Sequence, residues 1–182
     1  MSARPGVSTA VPEPSLPDPS SALGAVLLPI ENVATRMNRP AARLLAVSKT
    51  RSTGEVAALA DAGQQAFVEN YVQEALPKIE ALRGRGLEWH LIGHLQSNKA
   101  DLAARHFDWV QSLDRAKLVT ALARHRPAGA PPLNVLVQVN IDDEASKSGC
   151  APAGIDALAD AIAAQPRLRL RGLMAIPQPT SD

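Results

Sequence analysis

Lys49 closes the apolar run Leu44, Leu45, Ala46, Val47 and Ser48 and precedes Thr50, Arg51 and a helix-start signal at Ser52. In folds of alternating strands and helices, ligand sites gather at the carboxyl ends of the strands, so a lysine there is a candidate for covalent carbonyl chemistry. Held at the top of an apolar strand, away from full solvation, its charged form is disfavoured and its amine becomes the better nucleophile. Such an amine condenses with an aldehyde to a Schiff base. The plainer reading is a lysine that packs its stem and wets its head, and position alone leaves both open.

Other chemistry-bearing residues are less telling. His90 and His94 have the four-residue spacing of helical metal ligands, but they straddle a strand end and Gly93 rather than one helical face. Cys150 lies between Gly149 and Ala151 with no partner fixed by spacing. The turn Lys49, Thr50, Arg51, Ser52 has no glycine-rich dinucleotide fingerprint, and no Walker-type phosphate loop occurs anywhere.

The elements that must hold these residues alternate with short connections. A helix is expected from Leu23 to Met37, weakened or kinked at Pro29, before the first strand. Ser52 with Glu55 reads as a capping box, and the helix it starts ends at Gly63. After a strand at 65–69, Asn70 with Gln73 repeats the capping logic for a helix running to Gly84. Leu87–Gly93 and Phe107–Leu113 read as strands, each with a helix after it: the first over 98–105, the second over 116–125 with Asp114 as its cap. Leu133–Val139 is apolar on both faces, as a buried parallel strand should be, except for Gln138. A polar loop at 142–149, a helix around Ile155–Ile162 stopped by Pro166, and a sixth strand at 168–176 complete the pattern.

This alternation predicts an α/β fold with a parallel sheet and right-handed crossovers. Six strands suffice for an open doubly wound sheet and are two short of a closed (β/α)-barrel, so periodicity alone favours the open sheet.

Composition narrows the function classes. A chain of 182 residues, 46% hydrophobic, suits one globular domain. A net charge of +1 and 3% aromatic residues supply neither an electrostatic footprint for nucleic acid or an anionic membrane nor stacking platforms for bases. One cysteine permits no intrachain disulfide and points to a reducing compartment. Residues 1–22, rich in proline, read as a disordered tail ahead of a domain at 23–182. The run Ala25–Leu28 is too short to span a membrane and lacks the flanks of a secretion signal, so a soluble, cytoplasmic protein is expected.

Longer stretches carry a resemblance. Leu-Leu-Ala-Val-Ser-Lys-Thr at 44–50, Val-Glu-Asn-Tyr-Val-Gln-Glu at 68–74, Glu-Trp-His-Leu-Ile-Gly-His-Leu-Gln-Ser-Asn-Lys at 88–99, Ser-Lys-Ser-Gly at 146–149 and Arg-Leu-Arg-Leu-Arg-Gly-Leu-Met-Ala-Ile-Pro at 167–177 together resemble the pyridoxal phosphate homeostasis protein family. The matches are in order and in register over most of the chain, which is far more specific than any single motif.

That resemblance implies a (β/α)-barrel of the alanine racemase N-terminal domain type, present here over about six of its eight units. It implies pyridoxal phosphate as cofactor, joined to Lys49 as an aldimine, with Asn70 and Met174 facing it from neighbouring strand ends. Tyr71 and His90 are weaker candidates for the same rim, while Asn70 as a helix cap and Met174 as core remain open. The family continues through two more strands, with a Ser/Gly-rich segment and an Arg-Ile-Gly-Thr-like turn that hold the phosphate, so a truncated chain is expected. The implied role is a non-catalytic carrier in cofactor homeostasis, with apo-enzymes that use pyridoxal phosphate as acceptors; whether Lys147 assists transfer is left open by the sequence. Two alternatives stay open: an amino-acid racemase-like enzyme, which needs a second base opposite the lysine, and a shortened remnant that binds nothing.

Overall fold

A computed structural model describes residues 18–142 and 148–178. The chain divides into two units, residues 1–42 and residues 43–182. The described part of the first unit is essentially one helix, α1 (Pro19–Arg36). Asp18 caps it by accepting the Ser21 N–H at 3.0 Å, and Pro19 sits where a missing N–H costs nothing. Residues 19–22, expected in the tail, are therefore helical, and α1 continues through Pro29. Residues 1–17 lie outside the described residues.

The second unit carries six parallel strands: β1 (Ala46–Val47), β2 (Ala66–Glu69), β3 (Glu88–Leu91), β4 (Trp109–Leu113), β5 (Leu133–Gln138) and β6 (Leu168–Met174). They lie side by side in chain order, with Ala46 opposite Phe67, Val68 opposite His90, and Val135 opposite Leu170. This order corrects the open-sheet preference. A doubly wound sheet reverses direction at a switch point, whereas a sequential parallel order with right-handed crossovers puts every helix on one face, as in a (β/α)-barrel. The fold is that barrel type over six of its strands.

The helices are α2 (Thr53–Asp61), α3 (Val72–Ala81), α4 (Ala100–His106), α5 (Ala116–His125) and α6 (Ile155–Ala163). The Ser52–Glu55 capping box forms as its residues predict, with the Ser52 N–H donating to Glu55 Oε2 at 2.8 Å and the Glu55 N–H to Ser52 Oγ at 3.3 Å. Two other cap expectations are not met. Tyr71, not Asn70, precedes α3 and makes no side-chain cap, and Arg115, not Asp114, precedes α5, where Asp114 instead pairs with Arg115 at 2.6 Å. Along α5, Leu118, Val119, Leu122 and Ala123 are buried, the one-sided spacing that lets a helix cover a sheet. All four residues of β2 are buried, as expected of a central parallel strand covered on both faces. Phe67 meets Trp89 with ring centroids 5.7 Å apart in the core beneath the strand ends.

Candidate functional site

Lys49 stands one residue past the last hydrogen-bonded position of its strand. The ladder extends beyond β1 through the Ser48 N–H, which donates to Val68 O at 2.9 Å, and the Arg51 N–H then bonds back to Ser48 O at 3.0 Å. Lys49 and Thr50 are thus the central residues of a tight turn. Thr50 has φ of +64°, a left-handed conformation that suits glycine and costs a β-branched residue on the order of 1–3 kcal/mol. Lys49 is exposed, so the expectation that the strand end withdraws it from solvent is not met.

A cavity of about 350 Å³ opens at the carboxyl ends of the strands, and Lys49 and Asn70 both line it. Gly93 and His94 follow β3 into its wall, Gln138 ends β5 there, and Ile176 closes it from beyond β6. The amide oxygens Asn70 Oδ1 and Gln138 Oε1 are buried, and neither has a protein hydrogen-bond partner. A buried amide oxygen left unpaired costs about 1–3 kcal/mol, and both of these belong to residues that line the cavity. A larger hollow of about 650 Å³ lies within the first unit, beside Glu31, Asn38 and Arg39, and no buried polar atom without a partner faces it among the described residues.

The backbone packs tightly at this mouth. A Cβ placed on Gly93 meets the Asn70 carbonyl oxygen at 1.9 Å, so only glycine fits there. Ser148 Oγ and His94 Nδ1 are 3.0 Å apart at the rim, and the same His94 nitrogen is 3.8 Å from Asp114 Oδ2. Both neighbours address one ring nitrogen, so the three side chains do not form a relay of the serine–histidine–aspartate kind, which uses both nitrogens.

The structure brings Lys49 and Asn70 together and treats the other candidates differently. Met174 is half-buried and pairs in register with Gln138, and the cavity wall on that side is formed by Ile176 two residues on. His90 is not at the rim. It is buried on β3, with Nε2 2.6 Å from Glu88 Oε1, Nδ1 2.9 Å from Gln111 Nε2, and its ring stacked on Trp109. Burial pushes its pKa down, with Glu88 opposing. Tyr71 is 60% exposed and does not line the cavity. Burial pushes the Cys150 thiol up, against a thiolate. No cluster of three metal-ligating side chains occurs among the described residues. Lys147 lies outside the described residues. Sequence reasoning missed Gln138 as a lining residue, although its being the one polar residue in an apolar strand was the available signal.

Residues 23–180 match the family described as alanine racemase, N-terminal domain. A pyridoxal phosphate homeostasis protein from Escherichia coli (strain K12) is 55% identical over 158 residues, which are 84% of this chain and 68% of that protein. One from Pseudomonas aeruginosa is 55% identical over 139 residues, 76% of this chain and 60% of its own length. The structure of PipY from Synechococcus elongatus PCC7942 with PLP bound superposes with a TM-score of 0.68 at 35% identity, covering 81% of this chain and 70% of PipY. Alanine racemase from Corynebacterium glutamicum, at 19% identity and a TM-score of 0.56 over 83% of this chain and 44% of its own, shares the fold. No helix among the described residues is long and apolar enough to cross a membrane.

Proposed function

This chain belongs to the pyridoxal phosphate homeostasis protein family, within the alanine racemase N-terminal domain family, and we propose that it binds pyridoxal phosphate, carries it reversibly on Lys49 and acts in cofactor homeostasis without turning over a substrate. The observation that carries this reading is the convergence of Lys49, Asn70 and Gln138 on one cavity at the strand ends. Its volume of about 350 Å³ falls within the ~300–1,000 Å³ typical of small-molecule sites.

The residues present fit the group. Lys49 supplies an accessible primary amine, and the amide side chains of Asn70 and Gln138, whose oxygens have no protein partner, would hold and orient a polar ring. When bound, the cofactor would supply an aldehyde open to reversible condensation with a primary amine, and Lys49 Nζ would be the amine that holds it. Met174, beside Gln138 in the sheet, is proposed to bound the same site from β6.

A racemase needs a second base across from the lysine. Tyr71, the chain's one tyrosine, is exposed and lies off the cavity wall, which supports a carrier over an enzyme. The acceptors in this reading are apo-enzymes that use pyridoxal phosphate, and the setting is the cytoplasm.

The test is to mix the purified chain with pyridoxal phosphate, record the visible absorbance band, reduce with borohydride and map the modified peptide. The expected adduct is on Lys49. An adduct only elsewhere, or none on a folded chain, overturns the assignment. Alanine racemization that disappears on Lys49→Ala would replace it with the enzyme reading.

A further inference from the structure

Ser48, immediately before Lys49, is held at every polar atom. Its N–H donates to Val68 O at 2.9 Å, and its carbonyl oxygen accepts the Arg51 N–H at 3.0 Å and Lys78 Nζ at 2.8 Å. Its hydroxyl donates to Glu69 Oε1 at 2.6 Å, and that same oxygen accepts Lys78 Nζ at 2.8 Å. The side chains of Glu69 and Lys78 are 0% and 9% exposed. Lys78 belongs to α3, thirty residues away in sequence, so a helix side chain reaches inward to grip the strand end.

A buried ion pair is weak evidence for stability, because desolvating two charges offsets their attraction and apolar residues of similar size often do as well. The stability of the core therefore does not explain why a lysine stands here. Where its donors go is informative: one to the Glu69 carboxylate and one to the backbone carbonyl that starts the Lys49 turn. That turn contains the left-handed Thr50, a conformation that persists only when its surroundings over-determine it. The Glu69 carbonyl also accepts the Ile92 N–H at 3.0 Å, which ties the pair to the next strand end, ahead of Gly93 and the cavity.

We propose that Glu69 and Lys78 are positioning residues for Lys49. Acting through Ser48, the pair clamps the strained turn so that the Lys49 amine stays aimed at the cavity, and neither residue touches the cargo. This inference rests on the carrier reading for the identity of the aldehyde, while the clamp itself is measurable without it.

The experiment compares the full chain with the double variant Glu69→Gln/Lys78→Met, which removes both charges together, and with Ser48→Ala, which deletes only the hydroxyl. Hydrogen exchange, read by mass spectrometry on peptides spanning 44–52 without ligand, reports the clamp. Borohydride trapping of pyridoxal phosphate, mapped over all lysines, reports the aim. In the double variant, protection of the Ser48 and Arg51 amides is expected to fall by about tenfold, equal to about 1.4 kcal/mol, while β4 and β5 stay protected. The share of adduct on Lys49 relative to Lys99 and Lys117 is expected to fall about fivefold or more. Ser48→Ala is expected to shift both readouts the same way by about two- to threefold, and it decides the matter if the double variant does not fold. Lower thermal stability with unchanged turn protection and an unchanged Lys49 share overturns the proposal and leaves the pair purely structural. Failure of the unmodified chain to trap at Lys49 would sink the carrier reading, and amide protection would still decide the clamp.

Discussion

Replacing Gly93 with alanine tests whether the mouth of the cavity is as tightly built as its backbone indicates. The added methyl carbon lies 1.9 Å from the Asn70 carbonyl oxygen, 2.7 Å from its carbon and 2.9 Å from its Cα, so it meets backbone rather than a side chain that could swing away. Reaching even 3.0 Å from the oxygen requires the two segments to part by about 1.1 Å. Two hydrogen bonds resist this: the Ile92 N–H to Glu69 O at 3.0 Å and Ser112 Oγ to Gly93 O at 2.6 Å. Overpacking costs about 1–3 kcal/mol and a lost hydrogen bond about 1 kcal/mol, giving about 2–4 kcal/mol in all. For a chain of this size, that lowers Tm by roughly 4–16 °C. Asn70 moves with the clash, so the affinity for pyridoxal phosphate, titrated by visible absorbance, should drop by about tenfold or more. A Gly93→Ala protein with Tm within a degree of the parent and unchanged binding would refute this reasoning.

Three further outcomes are expected. Arg126→Met removes a guanidinium that donates to Pro131 O, Ala104 O and Phe107 O, each at 2.8 Å, and should cost about 2–4 kcal/mol in urea unfolding; a loss under 1 kcal/mol counts against it. Ser52→Ala breaks the capping box of α2 and should cost about 1 kcal/mol by the same assay, with Ser52→Gly costing only a few tenths. His90 has its folded pKa lowered from 6.5 chiefly by burial, so below that value the unfolded chain takes up the proton more readily. Its contribution to stability is therefore complete above about pH 6.5 and is lost as pH falls; the decline of Tm from pH 7.5 to 5.5 should be shallower in His90→Gln, and equal slopes would contradict the assignment.

Much of the fold was legible because its signals are local. The bounds of α5 follow from its apolar face, the Ser52–Glu55 box forms as written, and all six strands lie within the runs expected for them. The fold type was not legible from periodicity, since open sheets and barrels share the same alternation and differ only in strand order, which is a long-range property. Asn70 illustrates the same limit: its position before a helix suggests a cap, but tertiary packing leaves its oxygen buried at the cavity and gives the N-cap position to Tyr71. Lys78 reads in sequence as one more charged residue on an amphipathic helix, and only the fold reveals its reach to Ser48. The exposure of Lys49 was misjudged because an apolar strand says nothing about whether the residue after its end is covered.

The sequential strand order also sets a timetable for biogenesis. Each strand pairs with the strand synthesised just before it, so pairing can follow the nascent chain as it emerges, once the crossover helix between them has been made. The cavity does not share that locality, because its wall runs from Lys49 to Ile176. During translation the amine is presented early, the buried acceptor of Asn70 follows, and Gln138 and Ile176 arrive last. Until the segment after β6 is in place, Lys49 stands on a growing sheet beside a cavity whose far wall has yet to be made.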